Sequence, residues 1–332
     1  MLSLFRSVKI FCLIPAIFKK SLQTFIKDNI KPTRSWRCTP FVTLIPSIAP
    51  KLISSEITPF DVEENIGELL NLVRHAIDRG EIEKAEAILE IGIKICEEYQ
   101  SYFALPYMYD VLASIALATG KLGKAENLLV RVIEKMIQLD IAEDNDQMID
   151  FKLRLSRIYS LYHEDLLAEI GFSTCLKEQE NKILNGDTST KTGLIYINCL
   201  FFYGLHKMNT SEHKTAKKLI DSAYSYAMKL KGLSPYQELM ILGTLADLNT
   251  EMQDYEIALQ NVNSAIILSK GVGSLDLPKL YLKLAKIYIK LDSYNIAHDW
   301  LQEAYKLGEL FSDARVVDEA KGLIEDINVR IF

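Results

Sequence analysis

The sequence predicts an all-α protein built from about six long helical hairpins and a C-terminal capping helix. Alanine recurs six times in the same local setting, at intervals of 39–48 residues. A large apolar residue follows each alanine by four positions, and a small residue precedes four of them by twelve. Glycine and proline are scarce, with 15 and 9 among 332 residues. Self-similarity at a fixed period of this length indicates stacked helical hairpins.

These recurring positions define the register of the hairpins, because small residues let two helices cross closely and larger residues fill the groove. The alanines are Ala85, Ala125, Ala168, Ala216, Ala258 and Ala297. The large residues are Leu89, Leu129, Phe172, Ile220, Val262 and Leu301. The preceding small residues are Ala113, Ser156, Ala246 and Ala285. The period exceeds the roughly 34 residues of the shortest tetratricopeptide repeat. The pattern therefore predicts a right-handed tetratricopeptide-type α-solenoid over residues 62–332.

Capping and turn residues predict where individual helices begin and end. Asp61 is suited to cap the first helix, and Gly80 to form the first turn between two helices. Residues 271–273 are expected to end the fifth hairpin, whereas residues 209–213 are expected to form a longer loop inside the fourth. The last helix, 314–330, has a largely polar surface, which suits the cap that a solenoid end requires.

The N-terminal segment differs in charge from the rest of the chain. Residues 1–55 carry nine lysines and arginines against the single acid Asp28, a net +8, so the remaining residues carry −14 in a chain whose net charge is −6. Within this segment, residues 19–31 place four apolar residues on one helical stripe and three lysines on the opposite side. This composition predicts a mitochondrial transit peptide over residues 1–37.

Two other interpretations of the leader stay open. The apolar run Ile10–Phe18 resembles a secretory signal core, although Pro15 interrupts it and basic residues continue beyond it. In the second interpretation, the N-terminal segment is a basic arm that does not direct the protein to any compartment. Four prolines between residues 39 and 59 predict an extended linker, 38–61, because proline disfavours a helix interior. Its apolar residues could contact lipid or the first hairpin.

No catalytic or metal-binding spacing is present in the sequence. The five histidines stand apart from each other and from the cysteines, without the H-E-x-x-H spacing of a zinc site. The segment 120–124, GKLGK, lacks the span and the hydroxyl residue of a phosphate loop and fits a hairpin turn. An acidic body disfavours nucleic acid as a partner. The sequence predicts a non-enzyme without a cofactor.

The candidate binding residues lie on the first helices of the hairpins, which line the groove of a tetratricopeptide solenoid. Four lysines spaced along one face of the sixth hairpin predict a basic strip for an acidic peptide, or alternatively a solvated face. They are Lys279, Lys283, Lys286 and Lys290. Similar candidates in the second and third hairpins are Tyr107, Asp110, Arg154 and Arg157. An exposed tyrosine there would serve as a peptide anchor.

Three segments, 109–129, 153–183 and 277–307, resemble the mitochondrial tetratricopeptide repeat protein 19 family. The resemblance extends over roughly residues 62–325, in hairpin order, in the acidic loop after the second hairpin and in the basic leader. It departs most around residues 184–215. It implies association with respiratory complex III at the inner membrane and support of its assembly and maintenance, including turnover of fragments of its Rieske iron–sulfur subunit. It supplies no catalytic residues.

Other functional classes compete with this one. A cytosolic peptide-binding adaptor of the motor-light-chain type shares the long repeat, but such chains normally carry a heptad coiled coil before the repeats, and prolines interrupt this region instead. A secreted or bacterial-type regulator with sensing repeats is the next alternative. An enzyme on a helical scaffold is the third.

Overall fold

The computed structural model describes residues 59–98, 105–230 and 233–331. These residues form thirteen α-helices and no strand, which confirms the predicted all-α tetratricopeptide-type fold class. None of these helices combines the length and apolar character needed to cross a bilayer. The predicted transit peptide 1–37 and residues 38–58 of the predicted linker lie outside the described residues.

The helices follow one another through short connections. In chain order they are α1 (Pro59–Asp78), α2 (Ile82–Glu98), α3 (Leu105–Ala118), α4 (Leu122–Gln138), α5 (Asp146–Leu161), α6 (Asp165–Leu184), α7 (Thr190–Asn209), α8 (His213–Lys229), α9 (Pro235–Glu251), α10 (Tyr255–Val272), α11 (Leu277–Lys290), α12 (Tyr294–Leu310) and α13 (Ala314–Ile331). We number the hairpins in chain order, two helices to each, with α1 and α2 as the first, so α13 has no second helix.

The chain divides into two compact units. The first, residues 1–158, contains α1–α4 and most of α5, and its core includes the fully buried Leu70, Met108 and Phe151. The second, residues 159–332, contains the end of α5 and all later helices. One core cluster of the second unit joins α9 to α13 through residues such as Leu242 and Leu284. Both cores consist of aliphatic and aromatic side chains from consecutive helices.

Burial confirms the repeat register inferred from the sequence. All six repeat alanines are 0% exposed, and none of the six large residues four positions later exceeds 1%. The four small residues that precede by twelve are likewise buried. A larger side chain at an alanine position would therefore meet a packed neighbour rather than solvent.

The fourth hairpin has its small residue too, although the sequence pattern assigned none there. Gly204 lies twelve positions before Ala216, in the middle of α7. A Cβ atom built on Gly204 would lie 2.5 Å from Cγ1 of Ile220, the large residue of the same hairpin. This helix crossing is therefore close enough to require glycine, whereas four other hairpins have alanine or serine at this position and the first has the buried Val73.

Each hairpin turn consists of three residues whose central residue has a positive φ. The backbone N–H groups of the central and third residues bond back to the end of the preceding helix, as in a Schellman motif. Glycine occupies the centre in the first two hairpins, but the later centres are His163, Ser211, Gln253 and Asp292. Ser312 has the same conformation between α12 and α13. These later turns have no glycine at the position of positive φ, so the sequence gives no indication of their conformation.

Two of three predicted helix boundaries differ from those in the structure. Helix α1 begins at Pro59, so Asp61 lies inside its first turn rather than at its N-cap. The expected longer loop at residues 209–213 is wrong: Ser211 takes the left-handed conformation and a three-residue turn suffices. Helix α10 ends within the predicted segment 271–273, where Gly273, at φ 63°, is its C-cap.

Candidate partner-binding surface

In the first unit, the predicted residues Asp110 and Arg154 form an ion pair between α3 and α5. The Arg154 guanidinium donates to the carboxylate of Asp110 and, at 2.9 Å, to the hydroxyl of Ser114. It also pairs with Asp150 at 2.6 Å, one turn earlier on α5. The Arg154 and Asp110 side chains are 15% and 20% exposed. The structure thus brings together two of the predicted residues in a largely buried charge cluster.

Burial and neighbouring charges shift the pKa values in this cluster. Although burial disfavours its charged form, the carboxylates of Asp110 and Asp150 raise the pKa of Arg154. Burial raises the pKa of Asp110, against the attraction of Arg154. For the half-buried Arg157, burial and the nearby Arg154 charge lower the pKa to about 10. Arg154 is therefore committed to internal pairing.

Tyr107 does not have the exposure that a peptide anchor needs. Its side chain is 9% exposed and belongs to the core of the first unit. Burial also raises the pKa of its phenol. The interpretation of Tyr107 as an exposed groove residue is therefore corrected: its ring packs between helices and supports the position of α3.

In the second unit, three of the four predicted lysines pair with carboxylates on neighbouring elements. Lys283 on α11 pairs with Asp247 on α9 and donates to the Gly243 carbonyl at 3.3 Å. Lys286 pairs with Glu319 on α13. Ion pairs therefore link the first helices of successive hairpins.

The remaining two lysines of the strip lie at the ends of α11. Lys279 pairs with Asp276 and lies 3.8 Å from Asp313. Lys290 is exposed and makes no ion pair with any residue that the structure describes. The strip is therefore not a free basic surface: an acidic peptide would have to replace internal carboxylates at Lys283 and Lys286.

These internal pairs are exchangeable because they are partly solvated. The side chains of Lys286 and Glu319 are 44% and 47% exposed, and those of Lys283 and Asp247 are 28% and 42% exposed. Ion pairs at this exposure typically contribute about 0–1 kcal/mol. An incoming carboxylate could therefore replace Asp247 or Glu319 at small cost in intramolecular energy. The role of the strip in partner binding stays a prediction.

A further polar cluster, which the sequence pattern did not reveal, joins α6 and α7. Glu169 accepts from Tyr203 and pairs with Lys207 at 2.8 Å. Although burial opposes it, these two donors lower the pKa of Glu169. His206, 2% exposed, contacts the Ser160 hydroxyl through Nδ1 at 2.9 Å. Because these residues come from two different hairpins, no short sequence motif indicates that they form a cluster.

The sequence of this chain is similar to sequences of proteins that are named mitochondrial. No family model matches the chain. Tetratricopeptide repeat protein 19, mitochondrial, from Mus musculus is 23% identical over 262 residues, which cover 76% of this chain and 72% of that protein. The Homo sapiens protein of the same name is 22% identical, covering 76% and 69%.

Solved structures show the fold alone. The apo form of the quorum sensor NprR from B. thuringiensis has a TM-score of 0.63 at 12% identity, covering 93% of this chain and 79% of that one. The apo form of RapI has a TM-score of 0.55 at 15% identity, covering 66% and 75%. The fold and the relatives together support a mitochondrial tetratricopeptide repeat scaffold. Proteins named tetratricopeptide repeat protein 19, mitochondrial, in several species are homologues of this chain.

Proposed function

We propose that this protein is a non-catalytic mitochondrial scaffold that associates with respiratory complex III at the inner membrane. In this role it supports assembly and maintenance of the complex, including turnover of fragments of the Rieske iron–sulfur subunit. The observation that carries the proposal is homology to proteins named tetratricopeptide repeat protein 19, mitochondrial, over 76% of the chain. The basic leader predicted from residues 1–37 agrees with that compartment.

The structure suggests how such a scaffold would bind a client segment. Helix α11 presents Lys283 and Lys286, which pair with partly exposed carboxylates of α9 and α13, Asp247 and Glu319 respectively. A client carboxylate that replaces Asp247 or Glu319 keeps the lysine neutralised, so binding leaves no buried charge unpaired. The preformed helices also need little ordering on binding, which favours affinity.

The first experiment is import of the full-length chain into isolated mitochondria, with and without membrane potential, followed by a native gel probed for complex III. We expect potential-dependent shortening and co-migration with complex III. Import without co-migration would contradict the complex III role. Failure of import would contradict the mitochondrial address, and a cytosolic adaptor would then become the working hypothesis.

Charge variants test whether the α11 lysines take part. Lys283→Gln with Lys286→Gln removes both inter-helix pairs, whereas Lys306→Gln with Lys321→Gln removes two exposed lysines from α12 and α13. We expect the first variant to reduce co-migration with complex III and the second to retain it. Equal co-migration of both variants would contradict a role for the lysine strip while leaving the association itself intact.

A further inference from the structure

An exposed aliphatic cluster on α6 stands out against the equivalent positions of the other hairpins. Two residues before and two residues after each repeat alanine, the chain is exposed in all six hairpins. Five hairpins carry polar or small residues there: Glu83 and Ala87, Gly123 and Asn127, Lys214 and Lys218, Glu256 and Gln260, Asn295 and Asp299. The third hairpin carries Leu166 and Ile170, which are 74% and 54% exposed.

In the first turn of α6, a polar and an apolar residue occupy exchanged positions relative to the second helices of the other hairpins. Three residues before the repeat alanine, the other hairpins have a partly buried residue: Ile82, Leu122, His213, Tyr255 and Tyr294. At this position α6 has the exposed Asp165 instead. Leu167, one residue before the alanine, is 47% exposed, and Tyr162 in the preceding turn is 41% exposed. The fold does not require a large aliphatic residue at the positions of Leu166 and Ile170, since the other five hairpins have none there. At the position of Leu167, two other hairpins also carry an exposed isoleucine.

Acidic residues adjoin this cluster and indicate the charge of what covers it. Glu164 and Asp165 directly precede Leu166 and both are exposed. Asp165 also attracts the buried His206 electrostatically. Exposed aliphatic residues beside exposed carboxylates complement a helix with an apolar stripe and flanking lysines or arginines. The same arrangement disfavours an anionic lipid surface, which the two carboxylates would repel.

We propose that Tyr162, Leu166, Leu167 and Ile170, with Glu164 and Asp165, form a docking surface for a basic amphipathic helix. The aliphatic side chains receive the apolar stripe of the helix, and the two carboxylates receive its basic residues. The surface lies on a second helix of a hairpin, not on the first helices that carry the lysine strip. The inference goes beyond the association with complex III and is tested without that complex.

The test is fluorescence anisotropy of a labelled peptide with the sequence of residues 19–31, a basic amphipathic segment. Every protein variant is the full chain carrying Phe25→Ser and Ile26→Ser, so that its own leader does not compete. We expect saturable binding, and about tenfold or greater weakening by Leu166→Ser with Ile170→Ser, because exposed aliphatic surface that becomes buried supplies affinity. Glu164→Gln with Asp165→Asn should weaken binding and reduce its salt dependence.

Matched controls make the test specific. Ile257→Ser with Ile296→Ser removes two exposed isoleucines, 44% and 46% exposed, from the positions on α10 and α12 that correspond to Leu167, and should leave affinity unchanged. A peptide of the same composition without an apolar stripe should not bind. Equal affinity of the Leu166→Ser, Ile170→Ser variant and the parent would overturn the proposal. Conversion of a dimer to a monomer by that variant would also overturn it, by assigning the surface to a second copy.

Discussion

The close crossing at Gly204 gives the sharpest test of how the hairpins pack. Gly204→Ala places a Cβ atom 2.5 Å from Cγ1 and 3.2 Å from Cδ1 of Ile220. Ile220 is fully buried in α8, so its side chain has no solvent to move into. Overpacking of this kind costs about 1–3 kcal/mol, while alanine in a helix interior gains up to about 1 kcal/mol over glycine. We expect a net loss of up to about 2 kcal/mol in the free energy of unfolding.

The assay is urea unfolding of the full chain, followed by circular dichroism, with Gly322→Ala as the matched control. Gly322 also lies inside a helix, α13, but a Cβ there meets no atom within 4 Å. The control should therefore gain stability by about 0.5–1 kcal/mol from helix propensity alone. If Gly204→Ala stabilises the protein as Gly322→Ala does, the close approach of α7 and α8 is refuted.

A double-mutant cycle identifies the clashing neighbour. Ile220→Ala alone should cost about 2–5 kcal/mol, because it leaves a cavity in a packed interior. In the Gly204→Ala background the same change should cost less, since it also relieves the clash at Cβ. Additive effects of the two substitutions would show that Ile220 is not the residue that resists alanine at position 204.

Two further predictions concern a repeat alanine's partner and a buried histidine. Ala285→Leu in α11, at a fully buried small position, should cost about 1–3 kcal/mol in urea unfolding, and an unchanged midpoint would contradict the repeat register. Burial lowers the pKa of His206 in the folded state, so the unfolded chain takes up the proton first and stability falls as pH drops through about 6.5. His206→Gln should lessen the loss of unfolding free energy between about pH 7 and about pH 5, and an equal loss in both proteins would contradict the shift.

The repeat pattern by itself determined the fold class and most of the register. An alanine fits where two helices cross closely, and a large apolar residue one turn later fills the groove between them. The packing of each repeat is therefore specified by residues close together in the sequence. This is why spacing alone assigns Ala85 and Leu89, or Ala297 and Leu301, to the core. Their burial confirms it. The conformation of the later turns could not be predicted in the same way. Residues such as Ser211 and Asp292 take a left-handed conformation there, and a sequence normally indicates that conformation by a glycine.

The charged surface depended on contacts between residues far apart in the chain. Spacing along α11 placed Lys283 and Lys286 on one face, but it could not show that Asp247 and Glu319 from other helices would neutralise them. Likewise, Tyr107 looked available on its own helix, whereas neighbouring helices bury it. Helix periodicity specifies which residues share a face of one helix. Only the stacking of hairpins decides what each face meets, because those partners come from other hairpins of the chain.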